Sequence, residues 1–321
     1  MKKSIICFLS LFAVLFISGC AMPFVGGVKP LPKGAVAPRV AVVSFKDRSS
    51  FNGNWDLGPG LADLLVSELV ASQNFVVLER GNLAAVVDEI VQQKNRLFRK
   101  EGKVSEGRLE NAKYLIRGVV TDFSQTSGGS FWMSFRKVFI GSGGYTARVG
   151  LALTIVDIES GRIVNSVQCS GEAKAGEVYG KGAYEGVRLG GSKFFKTPLG
   201  TATAEAMRAG LKGIIKEIPV HYWKPMIADI NTYQIILNGG KDRGFKVDQY
   251  YRVRRKGIAV TDPGTGDVLD VLPGSVVGVI RVIEVRERVA GAEVVSGHSF
   301  ARGQIMERVH PPKVRPVELG Q

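Results

Sequence analysis

The side chains that could carry out catalysis are few and far apart in this sequence. Histidine occurs at His221, His298 and His310, and none of the three has a cysteine or an acidic residue at the spacing of a metal site. The segment Gly180-Lys181-Gly182 begins like a dinucleotide-binding fingerprint, but Glu185 occupies the position of the third glycine. The chain also lacks a Walker loop, a G-x-S-x-G elbow and a C-x-x-C pair. We therefore expect a protein that is not an enzyme and that uses no metal or cofactor.

Cysteine chemistry is expected at Cys20, at the end of an N-terminal signal. Lys2 and Lys3 precede the apolar run 4–17, which is too short for a transmembrane helix of about 20 residues. The segment Ile17-Ser18-Gly19 before Cys20 resembles the bacterial lipobox, in which the cysteine is acylated and becomes the new N-terminus. The alternative is an ordinary cleavage site beside Cys20. We predict a signal peptide over residues 1–19 and a lipid anchor at Cys20.

The residues around this anchor predict where the mature chain resides. Ala21, rather than aspartate, follows Cys20, which under the sorting rule for such lipoproteins implies the outer membrane with the folded domains facing the periplasm. Cys7 is removed with the signal peptide, so Cys169 is left alone and no internal disulfide is expected.

The chain is strongly basic, with 43 Lys+Arg against 29 Asp+Glu. In a cytosolic protein this balance would indicate nucleic acid, but export excludes that partner. The clusters Arg96 to Lys103 and Arg252 to Lys256 are interpreted as solvated faces, and the alternative is a site for anionic lipid or cell-wall polymer.

Hydrophobic periodicity predicts an α+β domain over residues 39–224, after a flexible Pro- and Gly-rich tether over residues 20–38. A strand at Arg39 to Phe45 precedes a helix whose apolar face includes Leu61, Leu64, Leu65 and Leu69. A second strand, Phe75 to Arg80, is followed by a helix with an apolar stripe from Leu83 to Val91. Thr197 and Pro198 mark the start of a further helix.

Between these helices lie two glycine-rich candidate hairpins, 124–156 and 162–196. In the first, six residues share one face by strict alternation and are candidates to face the membrane: Tyr145, Ala147, Val149, Leu151, Leu153 and Ile155. Glu159-Ser160-Gly161 predicts a tight turn between two strands. The alternative is that these strands belong to a soluble sheet.

After residue 224 the pattern changes to short strands and turns, which predicts a small all-β domain over residues 225–310, followed by a tail at 311–321. The run Asp262-Pro263-Gly264-Thr265-Gly266-Asp267 is a strong hairpin signal within it.

Several segments together resemble the CsgG/HfaB family of curli-secretion channel lipoproteins. They are the lipobox at Cys20 and the runs Val40 to Asp47, Leu65 to Glu89, Ala112 to Phe123 and Leu151 to Val167, together with the helix from Thr197. The resemblance implies an outer-membrane channel for an unfolded extracellular polypeptide, in which a ring of subunits shares one β-barrel. Four strands cannot close such a barrel alone, so oligomerisation would be required.

The resemblance also implies a pore constriction in the loop Lys46 to Gly60. The candidate residues are Phe51, Asn52, Asn54 and Trp55, with aromatic rings and amides facing an unfolded polypeptide. The alternative is a surface turn in which Phe51 or Trp55 packs into the core.

The C-terminal domain resembles the small β domain of the flagellar assembly protein FlgT, which implies an interaction module for periplasmic accessory proteins. The expected partners are therefore further copies of the chain, outer-membrane lipid, a secreted polypeptide and such accessory proteins. The alternative function is a periplasm-facing adaptor or activator of a cell-wall synthase or flagellar assembly, with no pore.

Overall fold

The computed structural model describes residues 28–95, 97, 99, 103, 104, 107–127, 131, 132, 145–175 and 186–311. The predicted signal peptide and Cys20 lie outside these residues. The chain divides into two compact units, the first ending at His221 and the second beginning at Tyr222. No helix in the described part of the chain is both long and apolar enough to cross a membrane.

The first unit has the predicted order of strand, helix, strand and helix, followed by long strands and a final helix. Its elements are β1 (Ala35–Val36), β2 (Arg39–Val42), β3 (Lys46–Asp47), α1 (Leu57–Ser72), β4 (Val76–Leu78), α2 (Leu83–Gln92), β5 (Tyr114–Ser127), β6 (Phe131–Trp132), β7 (Tyr145–Asp157), β8 (Ile163–Ala175) and α3 (Pro198–Glu217). A short 3-10 turn, Phe194–Lys196, precedes α3. The predicted α+β class is confirmed.

The strands of this unit form a mixed sheet in the order β4-β2-β5-β7-β8, and β3 and β6 also pair with β5. β4, β2 and β5 are parallel because helices connect them, whereas β5, β7 and β8 are antiparallel. The β7–β8 turn is the predicted one. Asp157 accepts hydrogen bonds from the backbone N–H groups of Glu159 (2.9 Å) and Ser160 (3.1 Å), and Gly161 takes a φ of +69°. The backbone hydrogen bond from Ser160 is the main reason that the pKa of Asp157 is lowered.

One face of the sheet packs against α1 and α3 to form the core. Leu61, Leu65 and Leu69 of α1 are buried, as their spacing predicts. The predicted start of α3 is confirmed, because the Thr197 hydroxyl accepts a hydrogen bond from the Gly200 N–H at 3.1 Å with Pro198 at the first helical position.

The approach of α3 to β8 is close enough to require glycine. A Cβ atom at Gly171 would overlap the backbone carbonyl oxygen of Ala202. The helix therefore lies directly on the sheet at this point.

The second unit is all β, as its sequence predicts. The two-residue strand β9 (His221–Tyr222) spans the boundary between the units. The elements that follow it are β10 (Ile227–Ile230), β11 (Ile235–Leu237), β12 (Tyr250–Arg254), β13 (Ile258–Thr261), β14 (Val268–Leu272), β15 (Val276–Val285), β16 (Ala290–Gly297) and β17 (Ile305–Val309). Six strands pair antiparallel in the order β10-β11-β16-β15-β12-β17. A bridge between Met226 and Ile305 brings the two edges of this sheet together.

β13 and β14 form a separate hairpin whose strand residues are all exposed. Its turn is the predicted one, because Asp262 accepts hydrogen bonds from the N–H groups of Gly264 (2.7 Å) and Thr265 (3.0 Å).

Candidate functional site

The loop that was predicted to form the constriction begins with a local hydrogen-bonded turn. The Asp47 carboxylate accepts hydrogen bonds from the Ser49 N–H at 2.8 Å and from its hydroxyl at 2.7 Å. The Ser49 oxygen in turn accepts a hydrogen bond from the Phe51 N–H at 3.4 Å. Short polar side chains that bind their own backbone favour such turns. This turn sets the direction in which the chain reaches Phe51.

Four aromatic rings then hold the loop against the sheet. Phe51 stacks on Trp55 with ring centroids 5.7 Å apart and an interplanar angle of 16°. The edge of Phe123, near the end of β5, contacts Phe51 at a centroid distance of 5.0 Å. Phe194 packs edge-to-face on Trp55 at 5.2 Å. Offset and edge-to-face pairs of this kind stabilise each other beyond the area that they bury.

The indole N–H group of Trp55 also has a hydrogen-bond partner within the first unit. Its indole Nε1 donates a hydrogen bond to the backbone carbonyl of Val187 at 2.9 Å. This contact joins the loop to a segment 132 positions later in the chain. A buried indole N–H without an acceptor would be costly, so the contact selects this ring orientation.

A cleft of about 600 Å³ lies between the loop and this later segment. The residues that line it are Asn54, Trp55, Asp56, Pro59, Gly60, Gly186, Val187, Arg188 and Leu189. The lining combines an aromatic ring, an amide and one side chain of each charge. Such a surface can contact an extended polypeptide through hydrogen bonds and apolar packing, but it brings together no acid–base or nucleophilic pair.

The four candidate constriction residues divide into two pairs. Phe51 and Trp55 are half-buried and pack against the core, which is the arrangement expected if the loop is a surface turn. Asn52 and Asn54 are exposed. The two amides are therefore the exposed members of the four, while Trp55 still lines the cleft with part of its ring.

The prediction that one face of β7 contacts lipid is wrong for the described residues. The side chains concerned are at most 1% exposed and belong to the core that α1 and α3 cover: Ala147, Val149, Leu151, Leu153 and Ile155. Strand alternation shows only that one face is apolar, and a helix can cover that face as well as lipid can. Tyr145, the remaining candidate, lies in β7, but its side chain is outside the described part.

The second candidate hairpin, 162–196, also needs correction at its end. β8 follows the prediction from Ile163 to Ala175, but residues 194–196 form a 3-10 turn rather than a strand. Phe194 in this turn is fully buried in the core. Residues 128–130, 133–144 and 176–185 of the two candidate hairpins lie outside the described residues.

Sequence reasoning missed Phe123, Phe194 and the segment 186–189 as partners of the loop. Each lies more than 65 positions from Trp55 in the chain. The available signal was weak: an aromatic residue near a strand end, and another immediately before a helix start.

One acid on α1 is buried. Glu68 of α1 is 1% exposed, and its Oε2 has no hydrogen-bond partner in the described part of the structure. Burial raises the pKa of Glu68 to about 7, and attraction to Arg208 of α3 opposes the rise. The described residues hold no cluster of three or more His, Cys, Asp or Glu side chains that could bind a metal ion.

Comparison with known proteins gives one strong result. The model of the family described as "Curli production assembly/transport component CsgG" matches residues 27–234, most of the chain. No curated protein matches the sequence at a significant level.

Solved structures show only weak similarity. The hypothetical protein CT253 from Chlamydia trachomatis is 13% identical, with a TM-score of 0.36 over 57% of this chain and 98% of its own. The PelC dodecamer from Paraburkholderia phytofirmans is 15% identical, with a TM-score of 0.29 over 57% and 93%. The LpoB C-terminal domain from Escherichia coli is 12% identical, with a TM-score of 0.23 over 43% and 83%.

Scores this low establish no shared function. The family match does not depend on them, because it spans the whole described α/β sheet, the loop and its aromatic cluster. The protein is a member of the CsgG family of curli production assembly/transport components.

Proposed function

We propose that the mature protein is a lipid-anchored subunit of an oligomeric outer-membrane channel that exports an unfolded extracellular polypeptide. The observation that carries this proposal is the family match over residues 27–234. No catalytic step is needed, since a chain can move through a channel by diffusion. The anchor in this proposal is the acylated Cys20.

The pairing of the long strands supports a shared role for the two glycine-rich segments. Ser127 at the end of β5 pairs with Tyr145 at the start of β7, and Tyr145 pairs with Ala175 at the end of β8. Segments 128–144 and 176–185 therefore depart from adjacent strand ends at one end of the sheet. In the proposed assembly these two segments supply the part of each subunit that enters the membrane.

The loop at residues 46–60 supplies the contact with the exported chain in this proposal. Asn52 and Asn54 present amides, which both donate and accept hydrogen bonds and so suit a polypeptide backbone of any sequence. Phe51 and Trp55 hold the loop in place through the aromatic cluster. This division of roles revises the expectation that all four side chains line the constriction.

A second candidate function is a periplasm-facing adaptor without a pore. The observation that favours it is the burial of Leu151 and Leu153, at 1% and 0% exposure, in a core that needs no lipid. The partner of such an adaptor is a cell-wall synthase or the flagellar assembly machine.

Single-channel recording of the lipidated full chain in planar bilayers distinguishes the two. The channel predicts discrete conductance steps, and Asn52→Asp and Asn54→Asp should shift the reversal potential in a salt gradient toward cation selectivity. Asn231→Asp is the matched control, because Asn231 is an exposed asparagine in the second unit. If the loop variants leave the ion selectivity of the steps unchanged, the constriction lies outside this loop. Folded, oligomeric protein that gives no conductance would favour the adaptor.

A further inference from the structure

α2 is an amphipathic helix whose apolar side is left uncovered. Leu83, Val86, Val87, Ile90 and Val91 follow one another at the spacing of a single helical face. None of the ten residues of this helix is buried, and Val87 and Val91 are 41% and 55% exposed. The subunit buries the apolar faces of α1 and α3, so the exposed apolar stripe on α2 indicates a binding surface.

The charges on α2 differ in sign from those of the whole chain. Its only ionisable residues are Asp88 and Glu89, whereas the chain carries a net charge of +14. At 100° per residue these two acids flank the apolar stripe, one on each side. The surface that fits α2 is therefore apolar and contains a basic residue.

The second face of the sheet has that character. Three cross-strand pairs lie on the side opposite the core: Leu115 with Val156, Arg117 with Thr154, and Val119 with Ala152. The aliphatic members are half-buried and Arg117 is exposed. Arg117 is the one charged residue among the six, and the described residues provide it with no ion pair.

We propose that α2 of one subunit docks on this second sheet face of a neighbouring copy of the same chain. The apolar stripe would cover the aliphatic side chains of β5 and β7, and a flanking carboxylate, Asp88 or Glu89, would approach Arg117 of the neighbour. Opposite charges that meet in such a contact fix its orientation and disfavour like-charged partners.

This contact is heterologous, because a helix of one copy meets a sheet of the next. Contacts of that type build closed rings when the rotation between neighbours closes. The inference rests on the proposed function, in which the protein is a ring, and it assigns the surfaces that join the subunits.

The test uses the lipidated full chain in detergent, with mass measured by light scattering. Val91→Glu should weaken the subunit contact at least about tenfold, because the new carboxylate would be buried against apolar surface. Its matched control is Val70→Glu on α1, since Val70 is 56% exposed and Val91 is 55% exposed. The control should assemble like the wild type and keep its melting temperature. Val91→Glu should melt at the temperature of dissociated wild-type subunits, because it loses only the stabilisation that assembly provides.

Mixing two one-sided variants tests the direction of the contact. Val91→Glu disables the helix and leaves the sheet face intact, whereas Arg117→Glu disables the sheet face and leaves the helix intact. Each variant alone should be monomeric, and an equimolar mixture should form a dimer and nothing larger. Disruption by Val91→Glu but not by Arg117→Glu would indicate contact between two helices and overturn the proposal.

Two other outcomes separate this inference from the proposed function. A wild type that assembles, with Val91→Glu assembling equally well, would overturn the inference and leave the ring standing. A lower melting temperature for Val91→Glu without loss of assembly would show that α2 docks within its own chain, which also overturns the inference. A wild type that is monomeric in detergent and in bilayers would contradict both.

Discussion

Replacement of Glu68 by glutamine should stabilise the first unit, and the effect should depend on pH. Glu68 of α1 is 1% exposed and has one oxygen atom without a hydrogen-bond partner in the described structure. Burial raises its pKa from 4.5 to about 7, against the opposing attraction of Arg208. The folded state therefore holds a proton that the unfolded chain releases between these two values.

The sign of the pH dependence follows from this difference. As pH rises from 4.5 to 7, the unfolded chain binds fewer protons than the folded chain, so the free energy of unfolding falls. Above pH 7 the loss is complete and amounts to roughly 3 kcal/mol, at 1.36 kcal/mol for each pH unit. Glutamine keeps the shape and cannot ionise, but it gives up the attraction to Arg208. We expect Glu68→Gln to gain about 1 to 3 kcal/mol at pH 8 and little at pH 4.5.

Urea unfolding at both pH values measures the effect. A Trp223→Phe background restricts the fluorescence signal to the first unit, because Trp223 belongs to the second. Asp63→Asn is the control, since Asp63 is an exposed acid on the same helix and its replacement should change little at either pH. Equal stability of Glu68→Gln and wild type at pH 8, or an equal gain in the control, would refute the reasoning.

Three further predictions concern the core and the second unit. Leu151→Asp buries an unpaired carboxylate, so it should lower the free energy of unfolding of the first unit by more than about 4 kcal/mol and unfold it. The control Ser170→Asp, at an exposed position, should lower it by less than about 0.5 kcal/mol, as measured by urea titration. Cys169 is 7% exposed, and burial raises its pKa to about 12. Iodoacetamide at pH 8 should therefore label it only as fast as the first unit unfolds. Rapid labelling of the folded protein would contradict its burial. Replacing residues 258–272 with a short glycine linker should change the melting temperature of the second unit little, because every residue of β13 and β14 is exposed. A large drop in the melting temperature would show that the hairpin stabilises that unit.

Local signals in the sequence were sufficient for several elements of the fold. The start of α3 was predictable because the cap at Thr197 and the proline after it act within one helical turn. The turns at residues 159–161 and 262–267 were predictable for the same reason, since Asp157 and Asp262 bind backbone groups a few residues away.

The environment of each element was less predictable than its existence. The stripe on α2 correctly indicated a helix, but periodicity does not reveal whether a partner covers the stripe. The alternation in β7 likewise fits a sheet covered by helices as well as a sheet that faces lipid. The packing of Trp55 on Phe194 depends on residues distant in sequence, so no local pattern indicates it.

The central claim is that copies of this chain assemble around an opening. Electron microscopy of the lipidated full chain, extracted from membranes in detergent, tests it most directly. The account predicts closed rings of uniform subunit number with a central opening, narrowed by a layer that is lost when residues 51–55 are replaced by glycines. Discrete particles of one subunit, or assemblies without an opening, would contradict it.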